Sequence, residues 1–288
     1  MVFETNETLE MARRRNVRDA LHEDIGTCDW TASLVPGDRY LRARILVRED
    51  AVLCGSEWFE ACFTTLDPDA RIDWNRHDGD DLSSGEVVCE IQARARAALS
   101  AERSALNFIQ LLSAVATEAR RYVRAIEGLS PNPRGCVMLD TRKTLPGLRQ
   151  AQKYAVRTGG GTNHRMALWD GILIKENHIA AAGGIAAALE AAHALKSGVD
   201  IQIEVEDLDG LGQALAAGAG YVLLDNFSLD DMRRACEISA GRAMLEVSGG
   251  VDFDSVRAIA ATGVDRISSG KLTKDVRATD FSMRYVES

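Results

Sequence analysis

The pattern of apolar and polar positions divides the chain near its middle. Within residues 40–96, short apolar runs such as 41–47 and 86–91 are bounded by Gly, Asp and Ser turns, which is typical of a small sheet. Residues 56–65 have helical spacing, and a long amphipathic stretch follows at 100–126. The first part of the chain is therefore predicted to be α+β.

Beyond Pro131 and Pro133, short apolar runs alternate with helical segments at the spacing of βα units. This alternation predicts parallel strands with right-handed crossovers, in a partial or full α/β barrel or, as the alternative, a doubly wound sheet. The candidate strands are residues 137–141, 171–175, 201–206, 221–225, 243–248 and 266–269, with helical segments at 185–195, 211–217, 230–239 and 255–261.

Composition narrows the class of protein. The 288 residues are 46% hydrophobic and 27% charged, as expected for a folded chain of about two domains. A net charge of −9 disfavours general binding to nucleic acid or to an anionic membrane. Because no apolar stretch reaches roughly 18 residues and residues 1–7 do not resemble a secretory leader, we expect a cytoplasmic protein. The six cysteines lack metal-binding spacing and are interpreted as buried thiols.

Polar residues follow each predicted strand at its carboxyl end. In a parallel barrel these ends surround one mouth, where reactive groups are found. In this chain, the predicted strand ends would bring cations, acids and small residues together around that mouth. The residues are Asp140-Thr141-Arg142-Lys143, Lys175-Glu176-Asn177, Glu204 and Glu206, Asp225-Asn226, Ser248-Gly249-Gly250 and Ser269-Gly270.

Residues 134–175 form a basic segment in an acidic chain, with eight basic side chains against two acidic ones. Such a segment is suited to binding several carboxylates or phosphates. Three of its members, Arg149, Lys153 and Arg157, have helical spacing and are interpreted as a solvated helix face.

The other strand ends indicate phosphate and metal chemistry. The two Ser-Gly turns after the last strands are placed where barrels commonly bind phosphate through backbone N–H groups. Glu204 and Asp225 end adjacent strands, which suits Mg²⁺ or a cationic transition state. An ion pair with Lys143 or Lys175 is the structural alternative for these two acids.

An ordered set of motifs extends over nearly the whole chain and resembles the quinolinate phosphoribosyltransferases, also called carboxylating nicotinate-nucleotide pyrophosphorylases. It runs from His22-Glu23-Asp24 through residues 102–108 to residues 281–285. Between these lie Asp140-Thr141-Arg142-Lys143-Thr144, the segments 159–165, 174–179, 204–206 and 224–227, Glu246-Val247-Ser248-Gly249-Gly250 and residues 270–274.

The resemblance implies a type II phosphoribosyltransferase fold. Its expected parts are an N-terminal α/β sandwich domain at residues 1–115, an incomplete α/β barrel at 116–274, and a tail at 275–288 that returns to the first domain. It also implies a homodimer or a hexamer. The reaction would convert quinolinate and phosphoribosyl pyrophosphate (PRPP), with Mg²⁺, to nicotinate mononucleotide, pyrophosphate and CO₂, in NAD biosynthesis.

Site residues carried over by position divide into two groups. The resemblance implies catalytic roles for Lys143, Glu204 and Asp225, of which the two acids also face Mg²⁺, directly or through substrate phosphates or water. The substrate-binding residues it implies are Arg103 from the partner subunit, Thr141, Arg142, His164, Arg165, Lys175, Ser248, Gly249, Gly250, Ser269 and Gly270.

Two other functions compete with this interpretation. One is a Schiff-base barrel lyase that uses Lys143 or Lys175 as its nucleophile. The other is a catalytically divergent paralogue associated with molybdenum transport. The complete basic set, together with Glu204 and Asp225, disfavours the paralogue.

Overall fold

The computed structural model describes residues 5–286, which form two compact units. The first unit contains the described residues up to 120, residues 145–160 and those from 275 onward, and the second contains 121–144 and 161–274. The domain limits inferred from sequence remain predictions, and their outer ends, residues 1–4 and 287–288, lie outside the described residues.

The first unit is built on an antiparallel sheet with the strand order β12-β1-β5-β3. Strands β2 and β4 pair separately, and the C-terminal strand β12 pairs along β1. The elements are α1 (Leu9–Ile25), a 3₁₀ turn (Ala32–Leu34), β1 (Tyr40–Val47), β2 (Ala51–Val52), α2 (Ser56–Leu66), β3 (Arg71–Trp74), β4 (Asp81–Leu82), β5 (Val87–Arg94), α3 (Ala95–Ile126, which continues into the second unit), α4 (Arg149–Thr158) and β12 (Phe281–Val286).

Aromatic packing supports this sheet. The side chains of Trp58, Phe59 and Phe63 on α2 are buried, and the Phe59 ring lies 5.1 Å from the Phe63 ring and 5.6 Å from that of Trp74. The small sheet and α2 confirm the predictions for this region. Helix α3 begins five residues earlier than its amphipathic pattern indicated, because the alanines before that pattern also favour a helix.

The second unit contains six parallel strands in the order β6-β11-β10-β9-β8-β7. The outer strands β6 and β7 do not pair with each other within residues 5–286, so the barrel is incomplete, as predicted. The elements are β6 (Val137–Leu139), β7 (Ile172–Ile174), α5 (Glu176–Ala182), α6 (Ile185–Ala194), β8 (Ile201–Val205), α7 (Leu208–Ala216), β9 (Tyr221–Asp225), α8 (Leu229–Ser239), β10 (Met244–Ser248), α9 (Phe253–Ala260), β11 (Arg266–Ser268) and α10 (Lys271–Lys274).

Short polar residues start three of these helices. The side chains of Asp207, Ser228 and Asp252 accept hydrogen bonds from backbone N–H groups in the first turns of α7, α8 and α9. Each cap lies two to four residues after a strand end and fixes where the next helix begins. None of the helices within residues 5–286 is long and apolar enough to cross a lipid bilayer.

The six-stranded sheet has one aliphatic and one polar face. Cross-strand pairs such as Ile203 with Val222 and Val247 with Leu224 are buried and belong to the aliphatic face. Because side chains alternate along a strand, the intervening positions form the other face, here called the polar face. Its members include Lys175, Gln202, Glu204, Asp225, Glu246 and Ser248.

Two surface predictions are wrong. Lys153 is fully buried, although Arg157 beside it on α4 is exposed, so residues 149–157 are not a uniformly solvated face. The reason is that half of this ten-residue helix, including Lys153, is enclosed by the fold rather than by solvent. Cys28 is exposed and is therefore not a buried thiol. Burial of Cys62 and Cys136 raises the pKa of each thiol to about 12.

Gly159 ends α4 where the backbone passes close to α3. A Cβ at this position would collide with Ala116 O and lie 2.7 Å from Ala119 Cβ. We therefore expect Gly159→Ala to lower the free energy of unfolding by about 1–3 kcal/mol, measured by urea denaturation. In Gly212→Ala, the control, nothing lies within 4 Å of the new Cβ, so stability should stay unchanged or rise. Equal stability of both variants would contradict the packing role.

Candidate active site

The carboxyl ends of the six parallel strands carry most of the residues that the sequence singled out. The register places Ser248 beside Asp225 and Leu139 beside Ser268. Because the strands are parallel, their carboxyl ends lie at one edge of the sheet. That edge collects Thr141, Arg142, Lys143, Lys175, Glu204, Asp225, Ser248, Gly249, Gly250, Ser269 and Gly270.

Asp140 attaches the segment of residues 162–165 to this edge. Its side chain is fully buried; Oδ1 accepts the His164 N–H at 2.9 Å, and Oδ2 accepts a hydrogen bond from the Asn163 side chain. A parallel bridge between Leu139 and Thr162 adds backbone hydrogen bonds. His164 and Arg165, which the sequence placed outside the predicted strands, are thereby held beside the end of β6.

Arg142 and Arg165 are near enough for their positive charges to interact. Arg165 is half-buried, and its Nη1 donates to Gly171 O at 2.8 Å. Burial, together with the positive charge of Arg142, lowers the pKa of Arg165 below its usual range. Repulsion between the two cations is relieved by a bound anion, and their planar donors match carboxylate geometry.

His164 is held through both of its ring nitrogens. Nδ1 accepts the backbone N–H of Arg165 at 2.7 Å. Nε2 lies 3.0 Å from Gln202 Oε1 and 3.5 Å from Glu246 Oε1. The sequence interpretation missed the roles of Gln202, Glu246 and Asp140. Their signal was a polar residue at alternate positions inside, or directly after, an otherwise apolar strand.

Lys175 and Glu204 form an ion pair on the polar face. The Lys175 Nζ donates to both carboxylate oxygens of Glu204, at 2.8 and 3.0 Å. Its backbone N–H donates to His178 Nδ1, which fixes the start of α5. The structure thus contains the ion-pair alternative for Glu204, with Lys175 as partner. An ammonium held in this way has no lone pair for attack on a carbonyl, which disfavours a Schiff base at Lys175.

Asp225 meets the Ser248-Gly249-Gly250 turn. Its Oδ2 accepts a hydrogen bond from Asn226 Nδ2 at 3.1 Å, and Asn226 has a φ of 57°. Gly249 has a φ of 91°, and a Cβ there would collide with Asn226 Oδ1 and lie 2.9 Å from Asp225 Oδ1. Glycine is therefore required by backbone conformation and by space.

Lys143 is exposed and packs beside the last strand end. Its N–H donates to Thr141 Oγ1 at 3.0 Å, and its carbonyl accepts from Thr273 Oγ1 at 2.8 Å. A Cβ on Gly270 would lie 3.0 Å from Lys143 Cδ, so the glycine leaves room for the lysine stem. Ser269 is buried, and its hydroxyl donates to Val251 O at 3.0 Å, so this group holds the turn.

Arg103 belongs to the first unit, on α3. Its side chain is exposed and lines a cavity of about 360 Å³ within that unit. Glu23 and Asp24, which belong to the first of the sequence motifs, line the same cavity.

The carboxylates at the strand ends suit Mg²⁺ only in combination with a ligand. No group of three or more His, Cys, Asp or Glu side chains within residues 5–286 is arranged to hold a metal ion. Glu204 and Asp225 nevertheless lie on neighbouring strands of the same polar face. Mg²⁺ is commonly held by one or two carboxylates plus substrate phosphates and waters, which these two residues fit.

The Ser248 turn provides a test of phosphate binding. We expect Gly249→Ala to weaken the binding of Mg²⁺-pyrophosphate by roughly tenfold or more, because the new Cβ displaces the Asp225-Asn226 side chains and the turn. Isothermal titration calorimetry measures this affinity. Gly241→Ala is the matched control, because its φ is also positive, at 77°, and its Cβ meets nothing within 4 Å. Equal affinities in the two variants would contradict the assignment.

Comparison with known proteins identifies relatives over nearly the whole chain. Residues 27–113 match the model for the quinolinate phosphoribosyl transferase N-terminal domain, and residues 115–284 match the C-terminal domain of the same family. A probable carboxylating nicotinate-nucleotide pyrophosphorylase of Bacillus subtilis is 41% identical, over 91% of this chain and 89% of the relative. The Mycobacterium leprae nicotinate-nucleotide pyrophosphorylase is 38% identical, over 94% and 96%.

Solved structures agree with the sequence relatives. The nicotinate-nucleotide pyrophosphorylase from Francisella tularensis superimposes with a TM-score of 0.90 at 43% identity, covering 98% of each chain. NadC from Streptococcus pyogenes gives the same TM-score of 0.90 at 36% identity, over 99% of this chain and all of that one. The two matching domains and the relatives establish that the chain belongs to the quinolinate phosphoribosyltransferase family.

Proposed function

We propose that this protein transfers the phosphoribosyl group of PRPP to quinolinate and releases pyrophosphate and CO₂, with nicotinate mononucleotide as the product of this step in NAD biosynthesis. The observation that carries the proposal is the convergence of Arg142, Lys143 and Lys175 with Glu204 and Asp225 at one edge of the parallel sheet. A diacid beside a sugar phosphate needs several cations, and this edge supplies them. The names of the relatives favour the same reaction.

In the first step, the protein orients two anionic substrates. Arg142, Arg165 and Lys175 bind the two carboxylates of quinolinate, with His164 beside them, while the turns at Ser248-Gly249-Gly250 and Ser269-Gly270 hold phosphate through backbone N–H groups. The pyridine nitrogen has no proton to lose, so its lone pair attacks ribose C1 without a general base. The bond from C1 to the pyrophosphate oxygen breaks as the new bond forms.

Negative charge stabilises the transition state of this transfer. Ribose C1 acquires oxocarbenium character as pyrophosphate leaves, and Glu204 and Asp225 supply preorganised negative charge on the polar face. Lys143, exposed at the edge, is suited to the phosphates near the reacting centre. Asp225 and Glu204 would hold Mg²⁺, directly or through water, and the bound ion would supply positive charge to neutralise the pyrophosphate leaving group.

Decarboxylation follows from the charge on the product ring. Once the ring nitrogen carries ribose it is cationic, and this charge stabilises the electron pair left at C2 when the C2 carboxylate departs as CO₂. A proton from solvent then completes the C2–H bond. In this step Arg142 and Arg165 hold the ring. No side chain has to accept a proton, because the only bond that breaks is the one to CO₂.

The proposal extends to assembly and location. We infer a homodimer, or a hexamer built from such dimers, in which Arg103 of one subunit completes the carboxylate pocket of its partner. The exposure of Arg103 on the cavity wall of the first unit supports this role. The acidic chain acts in the cytoplasm on small molecules, with no nucleic acid or membrane partner.

The activity is tested by CO₂ release. We expect the protein to release ¹⁴CO₂ from carboxyl-labelled quinolinate only when PRPP and Mg²⁺ are both present, and to stop when EDTA removes the metal.

Arg142→Ala should lower kcat/KM by about 100-fold or more, since a buried ionic contact to substrate is lost. Circular dichroism checks that the variant remains folded.

Two outcomes would contradict this function. One is the absence of CO₂ release with both substrates and Mg²⁺ present. The other is irreversible inactivation by borohydride in the presence of a carbonyl substrate, which indicates a Schiff-base lyase.

Hybrid dimers test the position of Arg103. Arg103→Ala and Lys175→Ala chains should each be almost inactive alone. After they are unfolded and refolded together, a site made of the intact half of each chain regains activity, up to about a quarter of wild type if chains mix at random. The recovery is measured by comparing the activity of the mixture with that of the two chains refolded separately. No recovery in a mixture shown by mass spectrometry to contain hybrids would contradict a shared site.

A further inference from the structure

Glu246 is a buried carboxylate that the reaction scheme leaves without a role. It lies inside β10 and has no solvent exposure. Oε2 accepts a hydrogen bond from Gln202 Nε2 at 2.9 Å. Oε1 is also buried and makes no hydrogen bond within the described part of the chain, but it faces His164 Nε2 at 3.5 Å. Burial of a carboxylate is costly without a donor or a positive partner, so a specific role explains its presence better than packing does.

The contacts determine which nitrogen of His164 carries the proton. Nδ1 is an acceptor, since it receives the Arg165 N–H at 2.7 Å. The proton of the neutral ring is therefore on Nε2, directed at Gln202 Oε1, 3.0 Å away, and at Glu246 Oε1. Gln202 in turn directs its NH₂ group at Glu246, so its oxygen must face the histidine. Glu246 thus sets the orientation of the Gln202 amide, and this amide sets the tautomer of His164. These three side chains are called the relay below.

The chain of contacts ends at a substrate-binding arginine. With its tautomer fixed, His164 holds the backbone N–H of Arg165, while Arg165 Nη1 donates to Gly171 O at 2.8 Å. These two contacts set the direction of the guanidinium. Asp140 holds the other side of the same segment by accepting the His164 N–H.

We propose that Gln202 and Glu246 are positioning residues that act through His164 to place Arg165 against a carboxylate of quinolinate. Their contribution is to the binding of the diacid, with little effect on PRPP. In this role His164 uses its ring nitrogens within the protein, and Arg165 provides the contact to substrate. The inference rests on the proposed function, because it assumes that quinolinate lies at Arg165.

Steady-state kinetics of Glu246→Gln test this role. The new glutamine side chain has nearly the same shape as the glutamate, but only its oxygen can accept a hydrogen bond. Either Gln202 or His164 therefore loses its hydrogen-bond acceptor at this position. We expect KM for quinolinate to rise about tenfold, the effect of one unsatisfied buried hydrogen bond, while KM for PRPP and kcat change less than about twofold. Glu237→Gln, at an exposed glutamate on α8, is the matched control and should behave as wild type.

A double-mutant cycle separates positioning from general destabilisation. In a His164→Asn background, Glu246→Gln should raise KM for quinolinate by less than about twofold, because the relay is already broken. Independent, multiplied effects in the double variant would overturn the proposal. So would an unchanged KM for quinolinate in a folded Glu246→Gln protein, or equal rises in KM for both substrates.

Gln202→Leu keeps the test valid if Glu246→Gln fails to fold. It removes the amide that links Glu246 to His164, and we expect the same selective rise in KM for quinolinate, with the melting temperature recorded beside it. A folded Gln202→Leu protein with wild-type KM for quinolinate would overturn the relay. If wild-type protein releases CO₂ from quinolinate and PRPP, the proposed function stands whatever the variants show. If it does not, the function fails and the relay with it.

Discussion

The convergence of parallel strand ends at one edge of a sheet is the constraint on which the candidate site depends, because it gathers several charged side chains in one place. Burial and the neighbouring Arg142 lower the pKa of Arg165, so these charges are held together at a cost in free energy. Fixed contacts to Gly171 O and to the buried Asp140 hold the segment in place. The proposed binding of a diacid follows from this arrangement, since carboxylates would form charge-assisted hydrogen bonds with the neighbouring cations.

The two faces of the sheet explain how a buried structure accommodates such groups. Ile203, Val222 and Val247 place their side chains on the aliphatic face. The alternate positions Glu204, Asp225 and Glu246 are then free to carry charge on the other face without interrupting that core. Within each short strand, the side chains that stabilise the core therefore lie on one face, and the side chains available for chemistry lie on the other.

Much of this arrangement could be predicted from sequence, because parallel strands and their carboxyl ends leave local signals. All six strands of the second unit lie where apolar runs indicated, and Asp207, Ser228 and Asp252 are recognisable helix caps. Contacts between distant segments left no such signal. Gly159 begins one of the motifs of the sequence resemblance, but the reason for a glycine there is the close approach of the α3 backbone. Lys153 has the spacing of a surface lysine, but it is fully buried because half of α4 is enclosed by the fold.

The incomplete barrel gives the segment around His164 a second role. Thr162 forms a parallel bridge with Leu139 at the outer edge of β6, where a closed barrel would have another strand. One bridge in place of a full strand protects few amides, so this seam exchanges hydrogen and adjusts more readily than the paired strands beside it. We therefore expect substitutions at the seam to shift the segment of residues 162–165 while the hydrogen-bonded framework of the barrel keeps its form.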